Sequence, residues 1–423
     1  MFAAIGVSSD DTWQYTHSAI TQSEIYNGET YDDRIEDAMD GWNRSSTFDD
    51  TLWENVSVSR LQSSVELISP DAPPVRVTES LRPMSIFQTP PGRTIVDFGQ
   101  NLHAEVLENG ELGRRPLREA QSYDRVTLAG RELQRWSPRF TFHGFRYVQI
   151  DRWSTTDEIP LNRDSILAEV MHTDLQRTGA FSCSQLLVNK LHECAVWSMR
   201  GNFLSIPTDC PQRDERLRWT GDVQVFSPSV TFLYDVSAIL GGWLQDLAAE
   251  QGEPGRHGIP PLAVPNVIER DHPEDSPWWP LYPQAVWNDA TVIVPWHLYQ
   301  ASGDSNIPGR QLPSMQAWID RGVRRGDGGL WDENLWQLGD WLDLSAPPDD
   351  PGSGRTDGTF VADSYLVHVT GLMHKIAAIL GSDEADRYQR EFEQLKSRYQ
   401  RKCVTPDGLV ICDTNSVVPY NHV

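Results

Sequence analysis

Residues 205–222 have the sequence SIPTDCPQRDERLRWTGD. This short polar stretch contains four carboxylates, three arginines and one tryptophan. Carboxylates supply the acid and the base of glycoside cleavage, arginines tune and orient neighbouring carboxylates, and an indole packs against the apolar face of a sugar ring. The composition of the stretch is therefore typical of a site that hydrolyses sugars.

The spacing of these residues suggests how they would meet. A helix beginning after Pro211 would place Glu215, Trp219 and Asp222 on one face, because they follow one another at i, i+4 and i+7. Asp209 would lie on the loop ahead of that helix. Three carboxylates and an indole are therefore predicted to converge.

Glu215 is the candidate proton donor of this group. Crowded carboxylates cannot all ionise easily, so one of them is expected to keep its proton while the others stay charged. Arg213 and Arg216 act in the opposite direction, because a neighbouring guanidinium lowers the pKa of a carboxyl. The alternative is an ordinary salt-bridged helix start, since acids near an N-terminus followed by arginines are common.

The composition describes a strongly acidic chain of 423 residues. Asp and Glu number 60 against 36 Lys and Arg, a formal charge of -24, so most faces would repel a nucleic acid. No apolar run approaches the roughly 18 residues of a membrane helix, and the first residues lack the features of a signal peptide. We expect neither a nucleic acid nor a membrane as a partner. We expect a cytoplasmic location, with secretion as the alternative if the N-terminus is missing.

The numbers and spacing of aromatic residues and cysteines indicate which kinds of ligand and metal site the chain could contain. The chain has 16 Trp, 12 Tyr and 13 Phe, which suits either a sugar ligand or a Trp-rich core. Its five cysteines form no CxxC pair and have no zinc-ligand spacing. They are Cys183, Cys194, Cys210, Cys403 and Cys412. The sequence therefore predicts neither a disulfide framework nor a metal site.

The first part of the chain has the pattern of short strands. Residues 75–78, 94–98 and 145–150 are β-branched and aromatic runs, separated by Gly, Pro, Asn and Asp. Such runs predict a β-sandwich region. The prolines near residues 70–74 divide it into a domain at 1–70 and a second domain at 71–152. Residues 153–177 are a predicted linker.

From residue 178 the apolar period becomes helical. Ser184 is a candidate N-cap for a helix with Leu187, Leu191 and Cys194 on one face. Two further apolar faces are predicted on either side of Gly381, which would end the first of those helices. They consist of Leu366, Val369, Met373, Ile376 and Leu380, and of Tyr388, Phe392, Leu395 and Tyr399. Residues 178–423 are therefore predicted to form a helical domain, with long loops at 252–289 and 344–358.

The segment 209–222 also carries a resemblance. It is similar to the Asp-Cys-Pro-Gln-Arg-x-Glu-Arg-Leu-Gly-Trp-x-Gly-Asp signature of the α-L-rhamnosidases of glycoside hydrolase family 78. The resemblance implies a multi-domain β and α fold, with β-sandwich accessory domains followed by an (α/α)6 toroid catalytic domain. It also implies Glu215 as general acid, rhamnose contacts from Asp209, Trp219 and Asp222, and no cofactor.

Other segments extend the resemblance through most of the chain. Residues 287–290 and 339–342 resemble two later family elements, which adds Trp287, Asp289, Asp340 and Trp341 as weaker candidates for sugar contact. Tryptophans at 278, 279 and 336 are further candidates for the pocket wall, with burial in the core as the alternative. Segments 26–32, 97–102 and 140–147 resemble the accessory β-domains. His143 and Arg146 in the last of these are expected to be structural.

Three departures from the family pattern have consequences. Arg218 replaces the usual Gly of the signature and places a bulky charge beside the site. The resemblance begins partway through the first β-domain, and strands are missing after Leu102. The family's remaining helices do not follow before Val423, and the family's base, a Glu, belongs to that part. The resemblance therefore implies an incomplete toroid and a chain that is weakly active or inactive by itself.

Two functions remain open at this point. The first is inverting hydrolysis of a terminal α-L-rhamnoside on a glycoside or polysaccharide, with Glu215 as general acid. The second is carbohydrate binding without turnover by a relative that keeps Asp209, Trp219 and Asp222. Replacement of Glu215 distinguishes them, because it abolishes turnover in the first case and leaves sugar affinity nearly unchanged in the second. Calcium binding is disfavoured because no DxDxDG-type loop occurs.

Overall fold

A computed structural model describes most of the chain. The described ranges are 10–44, 47–59, 68–100, 106–130, 135–153, 160–268, 283–347, 349–352, 354–413 and 416–418. By their internal contacts the residues form two compact units. The β unit contains Met1–Ser69, Ser80–Ala168 and Cys210–Arg216, and the helical unit contains Pro70–Glu79, Glu169–Asp209 and Leu217–Val423. The domain boundaries expected from the sequence stay predictions.

The secondary structure separates along the chain into strands and then helices. The strands are β1 (Gln14–Tyr15), β2 (Ile20–Glu24), β3 (Gly28–Asp32), β4 (Glu54–Asn55), β5 (Val75–Leu81), β6 (Ser85–Gln88), β7 (Thr94–Asp97), β8 (Arg125–Thr127), β9 (Tyr147–Ile150), β10 (Ala168–Thr173), β11 (Phe203–Leu204), β12 (Ile206–Pro207), β13 (Val410–Asp413) and β14 (Ser416–Val418). The helices are α1 (Asp33–Ala38), α2 (Leu186–Asn202), α3 (Thr220–Leu233), α4 (Ser237–Gln251), α5 (Ala290–Ser302), α6 (Asn306–Ala317), α7 (Gly358–Ile379) and α8 (Ala385–Cys403).

The β unit is built on two small three-stranded sheets. One has the order β2-β3-β8 and the other the order β6-β7-β9. In the second sheet all pairs are antiparallel, and Val96 lies opposite Ile86 on one side and Val148 on the other. Val96, Phe98 and Ala168 form the buried centre of this sheet's core. The runs predicted at 75–78, 94–98 and 145–150 are confirmed as strands over Val75–Leu81, Thr94–Asp97 and Tyr147–Ile150. In the last two strands the β-branched side chains pack on a half-buried pleated surface.

The helical unit buries its apolar stripes in two large clusters. One lies among α3, α4 and α5 and includes Trp243 and Leu247. The other involves α5 to α8 and includes Trp318, Leu366 and Tyr388. The apolar faces predicted for α7 and α8 are confirmed, and Gly381 follows α7 with a φ of 65°, which suits the left-handed end of a helix. Within the described ranges, no helix is long and apolar enough to cross a membrane.

The helix predicted from residue 184 onward is confirmed as α2, but its predicted N-cap is wrong. The helix begins at Leu186 with Gln185 as its N-cap, so Ser184 does not cap it. The side chain of Asn189 bonds both the amide and the carbonyl of Cys183, and these bonds fix the chain ahead of the helix instead. Leu187, Leu191 and Cys194 share one face of α2 as predicted, and Leu187 on that face is 84% exposed.

Candidate active site

The loop that carries Glu215 is not helical. Residues 210–218 form bends and irregular backbone, and α3 begins only at Thr220. The predicted helical face containing Glu215, Trp219 and Asp222 is therefore wrong. Arg216 interrupts a helix here, because its backbone lies in the left-handed region with a φ of 50°.

Arg216 anchors this loop inside the β unit. Its side chain is buried, and its Nη1 donates to the carbonyl oxygens of Ile25 at 2.6 Å and Phe142 at 2.8 Å. The guanidinium also lies over the rings of Tyr26 and Phe142, at 5.6 and 4.7 Å from their centroids. Because a guanidinium has several donors in a rigid fork, one side chain here satisfies several buried carbonyls.

Glu215 is held by two guanidinium groups of the β unit. Its Oε2 accepts a hydrogen bond from Nη1 of Arg118 and another from Nε of Arg213, both at 2.7 Å. The hydroxyl of Tyr26 donates to the main-chain oxygen of Glu215 at 2.8 Å. The Glu215 side chain is 18% exposed, whereas that of Arg118 is 59% exposed. The two guanidinium groups therefore fix the orientation of the Glu215 carboxylate.

Asp209, Trp219 and Asp222 lie in the helical unit. Oδ1 of Asp209 accepts from the amide of Leu217 at 2.7 Å, and the amide of Asp209 donates to the Leu217 carbonyl at 2.9 Å. Trp219 forms an isolated bridge with Ala263 immediately before α3. Asp222 is exposed in the first turn of α3, where the free amides of a helix N-terminus favour a negative charge.

Trp287 contacts the start of the same helix. An added Cβ at Gly221 would lie 2.7 Å from the Trp287 indole, so only a glycine permits this approach. Trp287 is partly exposed, and Gly221 is the neighbour of Asp222 in sequence. The structure thus brings a sugar-sized indole face and an exposed carboxylate to one end of α3.

Asp289 has a different environment. It is 1% exposed, and its two oxygens accept from Nε1 of Trp318 at 2.8 Å and from the amide of Val286 at 2.7 Å. Burial raises the pKa of Asp289 to about 6. These contacts fix the residues before α5 and give Asp289 a structural role in the unliganded protein, so its sugar contact stays a prediction.

Asp340 and Trp341 lie on an exposed loop of the helical unit. Asp340 is exposed, and the ring of Trp341 packs near Gly352. The chain just before them is fixed to the segment before Trp287 by two amide side chains. Gln284 Oε1 accepts from the amide of Leu338 at 2.7 Å, and Gln337 Oε1 accepts from the amide of Ala285 at 2.9 Å. This exchange couples the segments that carry Trp287 and Asp340.

The other tryptophans predicted for the pocket wall, and His143 and Arg146 of the β unit, lie in different environments. Trp336 is 57% exposed, whereas Trp278 and Trp279 lie outside the described residues. In the β unit, Arg146 forms a bidentate pair with Asp97, and His143 lies 3.1 Å from Asp124. Both contacts are structural, as the sequence predicted for these two residues.

Comparison with protein families gives matches along most of the chain. The family model described as the bacterial α-L-rhamnosidase six-hairpin glycosidase domain matches residues 176–419. The chain belongs to the α-L-rhamnosidase family. An α-L-rhamnosidase N-terminal domain matches residues 3–79, and a bacterial α-L-rhamnosidase concanavalin-like domain matches residues 102–172. The predicted fold class, β-domains followed by a six-hairpin helical domain, is thereby confirmed.

Solved rhamnosidase structures resemble the chain closely. The native α-L-rhamnosidase of Aspergillus terreus is 41% identical, with a TM-score of 0.87 over 95% of this chain and 47% of that one. The α-L-rhamnosidase of Streptomyces avermitilis, solved with L-rhamnose, is 33% identical, with a TM-score of 0.83 over 96% of this chain and 38% of that one. The α-L-rhamnosidase of Alteromonas sp. strain LOR is 31% identical over 98% of this chain and 45% of its own length. The chain therefore spans less than half the length of each of these relatives.

Two contacts of this rhamnosidase family member were not anticipated from its sequence. Arg118 precedes Glu215 by 97 positions and lies in a different predicted domain, so no spacing rule connects them. Gly221 belongs to the rhamnosidase signature, but its need for a glycine depends on Trp287, 66 positions later. Only the folded structure shows both partners.

Proposed function

We propose that the chain carries the proton-donating part of a site that hydrolyses terminal α-L-rhamnosides, with Glu215 as general acid. The observation that supports this most directly is the double guanidinium contact to the Glu215 carboxylate. Two fork-shaped donors fix the direction of a carboxyl group better than solvent does. Membership of the rhamnosidase family supports this reaction and a rhamnose-containing glycoside or polysaccharide as the substrate.

The proposed reaction inverts the configuration at the anomeric carbon. Glu215 gives its proton to the glycosidic oxygen as the bond from that oxygen to the anomeric carbon breaks. A water molecule attacks the anomeric carbon from the opposite face and gives a proton to a second carboxylate. In inverting enzymes the two carboxyl groups are about 6.5–9.5 Å apart, which leaves room for that water.

The second carboxylate determines how active this chain is. We propose, from the family resemblance, that it is a glutamate outside these 423 residues. Among the residues of the helical unit, Asp289 is poorly suited to the task because both its oxygens already accept hydrogen bonds. The chain by itself is then expected to turn over slowly or not at all, and a complementing segment would restore the rate.

Sugar binding without turnover is the second candidate function. The start of α3 supports it, because the Trp287 indole, Trp219 and the exposed Asp222 lie within a few residues or in direct contact there. An indole face and a nearby carboxylate are sufficient to bind a sugar ring and one of its hydroxyl groups. This function requires no proton donor.

The test is release of the chromophore from an aryl α-L-rhamnoside by the purified chain, together with a rhamnose-binding titration. The variants are Glu215→Gln and, as a matched control, Glu119→Gln, an exposed glutamate of the same unit. General acid catalysis contributes about 10²- to 10⁴-fold, so Glu215→Gln should lose that factor and the control should not. Equal and measurable turnover by wild type and Glu215→Gln would refute the assignment. Rhamnose binding by a folded chain that shows no turnover even with a complementing segment added would favour the second function.

A further inference from the structure

A buried histidine joins strand β10 to helix α2 within the helical unit. His172 is 7% exposed and lies near the end of β10. Its Nδ1 is 2.7 Å from the carbonyl oxygen of Thr173, which can only accept a hydrogen bond, so Nδ1 carries a proton. Its Nε2 lies 3.2 Å from Nε of Arg200, and a guanidinium can only donate. Nε2 is therefore the unprotonated nitrogen, and the imidazole is neutral in this arrangement.

Three further contacts hold Arg200 beside His172. Its Nη2 donates to Oε2 of Glu79 at 3.0 Å and to Oγ1 of Thr78 at 3.3 Å, both on β5. The guanidinium also lies over the ring of Trp197, at 4.4 Å from a ring centroid. The Arg200 side chain is 16% exposed. It thus connects α2 to both strands of the paired β5 and β10.

The charges near His172 are balanced while the ring is neutral. The two strands and α2 contribute two cations and two anions close to it. These are Arg76 and Glu79 of β5, Arg200 of α2 and Asp174, which follows β10. Asp174 pairs with Arg76 at 3.3 Å, as Glu79 does with Arg200. Glu169, the other charged residue of β10, is exposed. A charge on the ring would therefore have no counter-charge left over for it among these four groups.

Protonation of His172 would break its contact with Arg200. A proton on Nε2 removes the acceptor of the Arg200 Nε hydrogen and brings two cations within 3.2 Å of each other. The Thr78 hydroxyl, 2.9 Å from Nε2, can turn to accept the new hydrogen, but the guanidinium has no acceptor to offer. Burial lowers the pKa of His172 below its ordinary value of 6.5, and the charge of Arg200 lowers it further.

The end of α2 leads directly into β11 and β12. There the amide of Thr208 donates to the carbonyl of Asn202, the last residue of α2, at 2.7 Å. The amide of Ser205 donates to Oγ1 of Thr173, the neighbour of His172, at 2.8 Å. Separation of α2 from β10 would therefore expose these amides to solvent.

We propose that the contact between His172 and Arg200 is a pH switch. While His172 is neutral, it holds the C-terminal half of α2 against β5 and β10. When His172 is protonated, the contact opens and residues 203–208 lose their support. The switch is independent of the function proposed for Glu215, because it concerns only the packing of α2 within the helical unit.

The test is amide hydrogen exchange of the purified chain at pH 7.5 and pH 5.5, measured by mass spectrometry. Labelling times are scaled for the pH dependence of intrinsic exchange. In wild type, peptides covering β10 and residues 196–208 should then exchange about threefold to tenfold faster at pH 5.5. Tenfold is about the most that one histidine with a pKa of 6.5 in the open state contributes one pH unit lower. Peptides from the buried part of α7 should keep their protection. Equal protection at the two pH values, or an equal increase in α7, would overturn the proposal.

Two variants distinguish this switch from a general sensitivity to acid. In His172→Gln the amide oxygen can accept from Arg200 but takes up no proton, so the pH effect should disappear. In Arg200→Gln a neutral donor replaces the cation, so the effect should fall below half of the wild-type value even if His172→Gln does not fold. An unchanged effect in a folded form of either variant would overturn the proposal.

His374→Gln is the matched control. His374 is a partly buried histidine of α7, and its Nδ1 lies 3.1 Å from the carbonyl oxygen of Ala385. Its replacement removes one titrating ring from the same unit at another place, so β10 and residues 196–208 should keep the wild-type effect. Loss of the effect in this control as well would show that the pH response does not originate at His172.

Discussion

The indole of Trp287 lies directly on Gly221, at a distance that leaves no room for a Cβ atom. A Cβ at residue 221 would be 2.7 Å from two ring carbons and 2.9 Å from the indole nitrogen. Gly221 is the second residue of α3, where its backbone would otherwise favour alanine. Gly221 thus allows the Trp287 ring to lie against α3, although a glycine at this position stabilises the helix less than an alanine would.

Gly221→Ala is therefore expected to weaken sugar binding. The added methyl group forces the Trp287 ring away from α3, so we expect the dissociation constant for L-rhamnose to rise about fivefold to tenfold. The measurement is a binding titration. The control is Gly242→Ala in α4, where nothing lies within 4 Å of the added Cβ, and this change should raise the free energy of unfolding by up to about 1 kcal/mol without changing affinity. Unchanged affinity in Gly221→Ala would show that Trp287 does not contact the sugar.

Arg216→Lys tests the anchor of the Glu215 loop. An ammonium cannot reach the carbonyl oxygens of Ile25 and Phe142 in the geometry of the guanidinium fork, so buried acceptors lose their partners. We expect the free energy of unfolding, measured in denaturant, to fall by about 2–3 kcal/mol. Arg114→Lys, a change at an exposed arginine, should stay within about 0.5 kcal/mol of wild type. A similar small effect for Arg216→Lys would mean that the loop is held by other contacts.

Lys402→Met should destabilise the helical unit strongly. Nζ of Lys402 donates to the fully buried Asp363 at 2.8 Å and to Glu333 at 2.7 Å. Removal of the lysine leaves the Asp363 charge buried, so we expect a loss of about 3 kcal/mol in the free energy of unfolding. The neighbour Arg401 bonds only Ser397 among the contacts described for its side chain, and Arg401→Met should cost less than about 0.5 kcal/mol. Equal losses in the two variants would contradict the role of the Lys402 pair.

The raised pKa of Asp289 should make the free energy of unfolding fall as the pH rises. Burial raises its pKa from 3.8 to about 6, so the folded chain binds the proton more tightly than the unfolded chain. Its contribution to stability is complete below pH 3.8 and is lost as the pH rises through 6. The difference in unfolding free energy between wild type and Asp289→Asn should therefore fall by about 3 kcal/mol between these limits. Asp386→Asn, on the exposed side of α8, controls for the loss of one surface carboxylate, and a flat difference for Asp289→Asn would rule out the assigned shift.

The elements predicted most accurately from the sequence are those in which the spacing of apolar residues indicates which side chains are buried. Leu366, Val369 and Met373 repeat at helical spacing and lie in the core of α7, and the run at residues 94–97 forms the central strand of its sheet. The spacing of apolar residues is sufficient to predict these elements, because it determines which side chains share the buried face of a helix or strand. The family signature was equally informative about the fold class.

The same rules failed around Glu215 because tertiary contacts override spacing there. The i, i+4 and i+7 spacing would place Glu215, Trp219 and Asp222 on one face only if this segment were helical. The helix does not form, because the buried Arg216 has a left-handed backbone conformation. Arg118 and Glu215 are brought together over 97 residues. The spacing of residues in a single sequence cannot predict a contact between residues this far apart in the chain. Functional sites are where local and global preferences are expected to disagree.

The anchoring of Arg216 has a consequence for how these proteins can be shortened or recombined. Since Cys210–Arg216 folds with the β unit, the proposed proton donor depends on strands and loops that sequence comparison treats as separate domains. A chain cut down to its helical unit would retain Trp219 and Trp287 but lose the contacts that hold the Glu215 loop. Exchange of the β-domains between relatives should therefore succeed only where the partners of Arg216 and Glu215 are carried along.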